Sequence, residues 1–502
     1  MIRLKHILCC AALVSYVGVG AQGRDNLWMG GYDNWFGSPP WGGSDMDFSM
    51  GVPNISVESR TIDLYHTVAN ISDTAGNLLF FTNGVVVGRQ DGDTMQNGTG
   101  LNPSDYTNNW YPDGLLIYQA NLIIPDPGDQ DRYYLFHNTV DLIPAFTTQY
   151  LYLSIVDMSL NGGLGAVTTK NQVLFTSNLQ PGRLQAVRHG NGRDWWVYSH
   201  TIYSDAFLRW LVTPEGVSGT PGGISVTDPF VQHVGVYRPP DAAQVVFSQD
   251  GSRFAYYSGE FGLDLFGVDR CDGTFLHIGH VDVDSAYYGW GTSFSPSGRF
   301  IYLSAETEMY QVDGDATDLQ SSLQLIATWD QTYSPGPPFA TLFGISQLAP
   351  DGKIYISTMN STDKLHVINY PDSLGLACDL VQHGITLPSY WKNSLPNHPN
   401  YHLGALDGSV CDSLGLTVVE QKPQLNLSLY PNPSTGNFTL SFAPQPVAGW
   451  LEVHDINGRS VDKEPIAPWS QLKRLHLALP AGVYQCRLSF WNMVAVRRFV
   501  VE

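Results

Sequence analysis

Charge is scarce in this 502-residue chain: 14% of residues are Asp, Glu, Lys or Arg, against about 25% in an ordinary globular protein. Long charged helices and coiled coils are excluded by that figure. Disorder is excluded too, because 43% of residues are hydrophobic and 12% aromatic. Basic residues are the scarcer sign, with 26 Lys and Arg against 46 Asp and Glu, a net −20. The tail from Lys422 carries eight Lys/Arg and five Asp/Glu, and the first five residues add Arg3 and Lys5, so the stretch between holds −25. Such an acidic body disfavours nucleic acid and anionic membrane as direct partners and suits solubility outside a cell. Cysteine is sparse as well. Of six, Cys9 and Cys10 lie near the N-terminus, leaving Cys271, Cys378, Cys411 and Cys486, with no paired CxxC for a zinc site. No HExxH and no GxSxG occurs, which removes two common hydrolase signatures.

Long hydrophobic runs are missing beyond the start. Arg3 and Lys5, then the apolar Ile7–Val19, then Val19-Gly20-Ala21 have the order of a secretory leader, cleaved after Ala21. No later stretch approaches 18 apolar residues, so no transmembrane helix is expected. Export permits disulfides, and four cysteines allow three full pairings. Cys378 and Cys411 flank one repeat-sized segment and are the expected pair. Cys271 and Cys486 fall in different predicted domains and read as small unpaired hydrophobes.

What the chain has in quantity is turns: 50 Gly and 31 Pro. SFSPSGRFIYLS (Ser293–Ser304) reads as strand, Ser-Pro-Ser-Gly turn, strand, with Phe300 and Tyr302 on one face and Ile301 and Leu303 on the other. The shape recurs around Ala75, Asp129, Gly192, Gly251 and Gly352. That spacing of about 45 to 60 residues is the period of propeller blades. The predicted fold is all-β, a propeller over 23–415 with seven blades favoured and six possible. The seventh is expected to pair strands near Tyr401–Leu406 with others at Asn26–Gly31. A linker over 416–425 and a small antiparallel sandwich over 426–502 follow, the sandwich marked by an Asn457-Gly458 hairpin.

The tail residues Tyr430-Pro431-Asn432-Pro433, Gly436, the Asp455–Gly458 hairpin, Gly482-Val483-Tyr484 and the closing Val500-Val501 resemble the type A C-terminal sorting domain of the type IX secretion system. This resemblance implies a partner in the type IX secretion machinery, passage across the outer membrane, removal of the tail and attachment at the cell surface. Bacteria with this route are similar in attaching O-glycans at Asp-Ser/Thr before an apolar residue. Ser373 and Ser413, after Asp372 and Asp412, are the expected sites. The body, through ISDTAGNLLFFTNG (Ile71–Gly84), AVRHGNGRDWWV (Ala186–Val197), APDGKIYIS (Ala349–Ser357) and LPNHPNYHLG (Leu395–Gly404), resembles an uncharacterised family of secreted propeller-like repeat proteins. That likeness implies a fold and no activity.

Catalytic constellations are not evident. Asp250-Gly251 and Asp351-Gly352 are adjacent, whereas sialidase-type Asp boxes separate the two residues. His398 and His402 are four apart, but Pro396 and Pro399 argue against a shared helix face. His277 and His280 would face opposite ways on a strand. Ser199-His200 with Asp205 reads as a strand end, and Cys271 beside Arg270 is opposed by Asp269 and Asp272. No catalytic residue, metal or cofactor is therefore expected. The one positive hint is aromatic: Trp28, Trp35, Phe36 and Trp41 gather near the N-terminus among Gly and Asp, and Trp195-Trp196 and Tyr287-Tyr288-Trp290 recur later. The reading is a surface-displayed or secreted, non-catalytic binding propeller for glycan or protein. The alternatives are a hydrolase acting on polysaccharide or peptide and a structural component of the surface layer.

Overall fold

The computed structural model describes residues 23–141, 147–202, 206–218, 224–227, 243–259, 261–283, 291–412, 427–445, 447–456, 459–490 and 493–502. The leader with Ala21, the linker, Ser413, Tyr287-Tyr288-Trp290, Asp205 and the Asn457-Gly458 turn lie outside them. The chain divides into two compact units, Met1–Leu414 and Gly415–Glu502.

The turns that set the sequence period build the first unit. Gly76, Gly192, Gly251, Gly298 and Gly352 each donate their N–H to the carbonyl three residues earlier, at 2.8 to 3.1 Å. Gly298 sits at φ 73°, a left-handed conformation that favours glycine. Each turn joins an inner strand to the next, and two further strands complete an antiparallel meander. Seven antiparallel blades, most of this kind, occur among the described residues. The first has three strands, Leu27–Gly30, Gly43–Asp47 and Asn54–Glu58. The second begins at Ala69 and the third at Asn121, and a single parallel pairing of Ala166 with Gln96 joins their outer strands. The remaining four start at Gln185, Val245, Thr292 and Phe343. The fold is the expected all-β propeller, with seven blades.

Blades are buried on both faces because each packs between two neighbours. Ile301 and Leu303 join Tyr257 and Leu265 of the fifth blade, while Phe300 and Tyr302 join Ile354 and Ile356 of the seventh. The two-residue alternation read from the sequence is thus the alternation between two seams.

Ring closure differs from expectation. Residues 401–406 form no strand, and the first blade draws its three strands from the N-terminal stretch alone. The seam is closed by side chains: Trp28, Met46 and Phe48 pack with Tyr355, Leu365 and Trp391. The Trp391 indole N–H donates to Ser44 Oγ at 2.9 Å, and that oxygen lies 2.7 Å from Ser389 Oγ. Trp28, grouped by sequence with the other N-terminal aromatics, is one of these buried closing residues.

The cysteine pairing is also corrected. Cys271, in the turn between the last two strands of the fifth blade, bonds to Cys411, with Cα atoms 5.5 Å apart. Cys378 is buried and free, as is Cys486. Spacing along the chain favoured Cys378. It failed because the end of the propeller unit crosses the ring to the fourth and fifth blades, where Gly190 leaves room for the bridge: a Cβ there would meet Cys411 Sγ at 2.3 Å.

Trp391→Ala should open the closing seam. A stability loss of about 3–5 kcal/mol is expected, read as a lower urea midpoint with one cooperative transition.

Candidate functional sites

The axis of a propeller is where a central site would form, and here it is filled. From Asn393 to Tyr401 the chain forms no strand and hydrogen-bonds to the inner strands of several blades. Asn397 donates from its backbone N–H to Val68 O at 3.0 Å and from Nδ2 to Asn121 O and Leu184 O at 2.9 and 3.0 Å. His398 Nε2 meets Asn70 O at 3.0 Å, and Tyr401 OH donates to Ile123 O at 2.8 Å. Asn393 Oδ1 accepts from Ile345 N–H and Ser357 Oγ. Two glutamines complete the hub. Gln119 exchanges both amide bonds with the backbone of Val245, and Gln244 Oε1 accepts from Thr292 N–H and Ser346 N–H. The family-like stretch LPNHPNYHLG is this axial segment.

What space is left is poor in acid. A cavity of about 60 Å³ beside His398 is lined by Trp28, Gln185, Ser293 and Gln347, room for a few waters. A wider hollow of about 580 Å³ opens at the mouth, lined by Phe48, Gln249, Pro350 and His402. Asp25 is the one carboxylate lining either space, and His402 Nε2 holds it at 2.8 Å.

A second surface lies on the first blade. The loop between its first two strands carries a short 3-10 turn, Asn34–Phe36, with Asp33 and Gly37 left-handed on either side. Asn34 fixes the loop: its N–H and Nδ2 both donate to Asp63 Oδ1, at 2.8 and 2.6 Å. So anchored, Trp35 stands 75% exposed and Phe36 48% exposed. Their rings stack at 3.7 Å, and Phe36 stacks on Trp41 at 5.7 Å. Trp41 meets Tyr390 and Tyr32 edge-on, and Tyr32 meets Tyr65, over which the Lys392 ammonium sits at 4.0 Å. Burial pushes the Asp33 carboxyl up, and Asp63 adds to it. Asp113 is raised by burial and then by Asp63 and Asp33. The sequence marked Trp35, Phe36 and Trp41. It gave no sign of Asp63, Tyr390 or Lys392, which reach the surface from other strands and loops.

Other candidates resolve into structure. His398 and His402 contact different groups and share nothing. His277 and His280 do share a partner, contrary to the strand expectation, because a register shift between Leu265 and Phe266 turns both toward Asp264, at 2.9 and 3.1 Å. No group of three or more metal-ligating side chains converges among the described residues. Trp195 and Trp196 are both buried, one facing Tyr401 and the other Val187 and Tyr198. Ser373 is half-buried in the loop after the third strand of the seventh blade, and its neighbour Asp372 accepts from Ser297 N–H and Oγ.

The second unit explains its own motif. Three strands (Leu427–Tyr430, Asn437–Phe442, Leu472–His476) and four (Ser460–Ile466, Gly449–Asp455, Gly482–Phe490, Met493–Val501) enclose one core that includes Leu440, Val453, Cys486, Leu488 and Phe499. The Pro-Asn-Pro turn at Pro431–Pro433 is strapped to the last strand: Asn432 Oδ1 accepts from Val500 N–H at 2.8 Å, and Ser434 N–H donates to Val500 O. A Cβ on Gly436 would lie 2.1 Å from Leu477 O. Tyr484 OH donates to Pro480 O at 2.9 Å, two residues before Gly482.

Residues 428–502 match the family described as the secretion system C-terminal sorting domain. They are that domain, so the chain is handled by the type IX route and exported to the cell surface or the medium. No curated protein matches the chain. Among solved structures, a Lactobacillus plantarum protein is 12% identical with a TM-score of 0.43, covering 74% of this chain and 99% of its own. A candidate 6-phosphogluconolactonase from Bacteroides uniformis has the same identity and score, over 74% and 98%. The extracellular domain of a two-component system protein from B. thetaiotaomicron is 11% identical at 0.37, over 95% and 55%. No helix among the described residues is long and apolar enough to cross a membrane.

The buried histidines set an acid limit. Burial holds His66, His137 and His366 at about 3. The unfolded chain takes up a proton at each near pH 6.5 and the folded chain only near 3, so stability falls as pH drops through that window. His280 and His402, raised by hydrogen bonds to Asp264 and Asp25, act oppositely: their contribution is complete below pH 6.5 and fades as pH rises through their folded values. His66, stacked between Tyr65 and Tyr118 with both ring nitrogens buried and unpartnered, is the cleanest test. His66→Phe should stabilise more at pH 5 than at pH 8, by up to about 2 kcal/mol, measured by urea melts at both values.

Proposed function

We propose that this chain is a non-catalytic binding propeller, sent across the outer membrane by its sorting domain and displayed at the cell surface or released. Its ligand is a glycan or a protein, met by the aromatic surface of the first blade. The observation that carries this reading is the Trp35–Phe36 stack. Trp35 and Phe36 leave large apolar ring surface in water on an anchored turn, and exposed aromatic surface of this kind marks interaction sites. The axis supports the same reading from the other side. Glycoside hydrolysis needs two carboxylates about 5 to 10 Å apart, and the axial spaces offer Asp25 alone, already engaged by His402.

Binding of the mature chain to a glycan and peptide array tests this. Trp35→Ala with Phe36→Ala should lower the signal on the bound ligand about tenfold or more, with the thermal midpoint unchanged. Retained binding in that variant removes the proposed surface.

The leader, cleavage after Ala21, and outer-membrane attachment belong to the same proposal, as does O-glycosylation at Ser373 or Ser413. Lys422–Glu502 fused behind a leader and a fluorescent protein should reach the surface in a host with type IX secretion. Periplasmic retention of the fusion beside normal export of the intact chain counts against a self-sufficient tail. Intact-peptide mass spectrometry should find a sugar on Ser373 or Ser413, with Asp372→Ala removing it from Ser373.

A further inference from the structure

The aromatic surface presents one ring face, not a row of them. Trp35 and Phe36 lie with planes 27° apart and Phe36 and Trp41 with planes 26° apart, so each ring stacks on the next instead of lying edge to edge with it. The outer face of Trp35 is the free end, in keeping with its exposure. A polysaccharide that stacks on aromatic rings gains by covering several rings laid side by side, and an end-on stack offers it a single place. A lone planar group loses nothing by that geometry.

Charge narrows the choice. Burial, with the neighbouring charge of Asp63, raises Asp33, and burial, with the charges of Asp63 and Asp33, raises Asp113. None of the three has an ion-pair partner among the described residues. The Lys392 ammonium sits over the Tyr65 ring and donates to its hydroxyl, and its charge, like a hydrogen bond from Trp35, only partly offsets what burial and Asp63 do to Asp33. Negative potential beside an electron-rich indole face selects a cation. Among biological cations the guanidinium is the flat and weakly hydrated one, and it stacks on rings while its edge bonds carboxylates. The field of a body at −25 would draw a basic partner from a distance as well.

We propose that Trp35 anchors an arginine side chain on a basic segment of a partner protein, the guanidinium lying on the outer indole face within the field of Asp33 and Asp113. This rests on the binding reading above and names its ligand.

The test uses the mature full-length chain and three probes: a fluorescent peptide of alternating Gly and Arg, its Gly-Lys counterpart, and a neutral β-linked hexasaccharide. The Arg peptide should bind several-fold more tightly than the Lys peptide, and the hexasaccharide should not bind. Trp35→Ala should weaken the Arg peptide about tenfold, Trp35→Phe less, and Asp33→Asn with Asp113→Asn should weaken it and flatten its salt dependence. Trp35 is exposed, so thermal midpoints should be unchanged. Arg and Lys peptides that bind equally and ignore Trp35→Ala report diffuse attraction to an acidic body and overturn the proposal. Hexasaccharide binding lost in Trp35→Ala overturns it too, yet leaves the binding surface standing. If no probe and no array ligand depends on Trp35, both fall.

Discussion

A ring of blades leaves one place where backbone polar groups have no sheet to satisfy them: the inner strands facing the axis. A buried N–H or C=O without a partner costs about 1–3 kcal/mol, and seven inner strands supply many. In this protein the debt is met by amides. Asn393, Asn397, Gln119 and Gln244 each carry a donor and an acceptor on one side chain; Asn397, Gln119 and Gln244 bond backbone of other blades, and Asn393 joins Ile345 of the seventh blade to the Tyr118 hydroxyl. A carboxylate could only accept, and its charge would be expensive to bury. This hub ties together inner strands of blades that lie far apart in the chain.

Filling the axis has a consequence for chemistry. A propeller with an open channel can gather catalytic groups from several blades at its centre. Here the crossing segment takes that space, and the Cys271–Cys411 bridge holds its far end to the fifth blade. Loops outside the axis are free of that packing constraint. The loop of the first blade uses that freedom, its turn tied to Asp63 by Asn34 so that Trp35 and Phe36 can stand in water without collapsing onto the core.

The two ends of the reading differ in kind. The sorting domain matches a family along its own stretch of the chain. Its motif residues are the ones that build its turns and close contacts: Asn432 binding the last strand, Gly436 against Leu477 O, Tyr484 bound to Pro480. A motif of that sort is legible because structure and signal are the same residues. The aromatic surface of the first blade, proposed above to bind, has no such motif. Its aromatic members are adjacent in sequence and visible, while its carboxylates and its cation come from separate parts of the chain.

By itself the sequence determined what depends on neighbours along the chain. Gly298 and its counterparts specify turns because only the local backbone decides φ. The alternation of Phe300, Ile301, Tyr302 and Leu303 specifies a strand buried on both faces because side chains alternate every residue. Blade period, all-β class and sorting tail all follow from such local rules. Tertiary structure decided whatever joins distant positions. Cys411 pairs with Cys271 and not Cys378 because the unit's end crosses the ring. Tyr401 caps Ile123 instead of adding a strand because the axis needs side-chain bonds more than a ladder. His277 and His280 turn to one carboxylate because a bulge shifts their register. No spacing rule carries those facts, since each is set by where the closed ring brings residues that lie far apart in the chain.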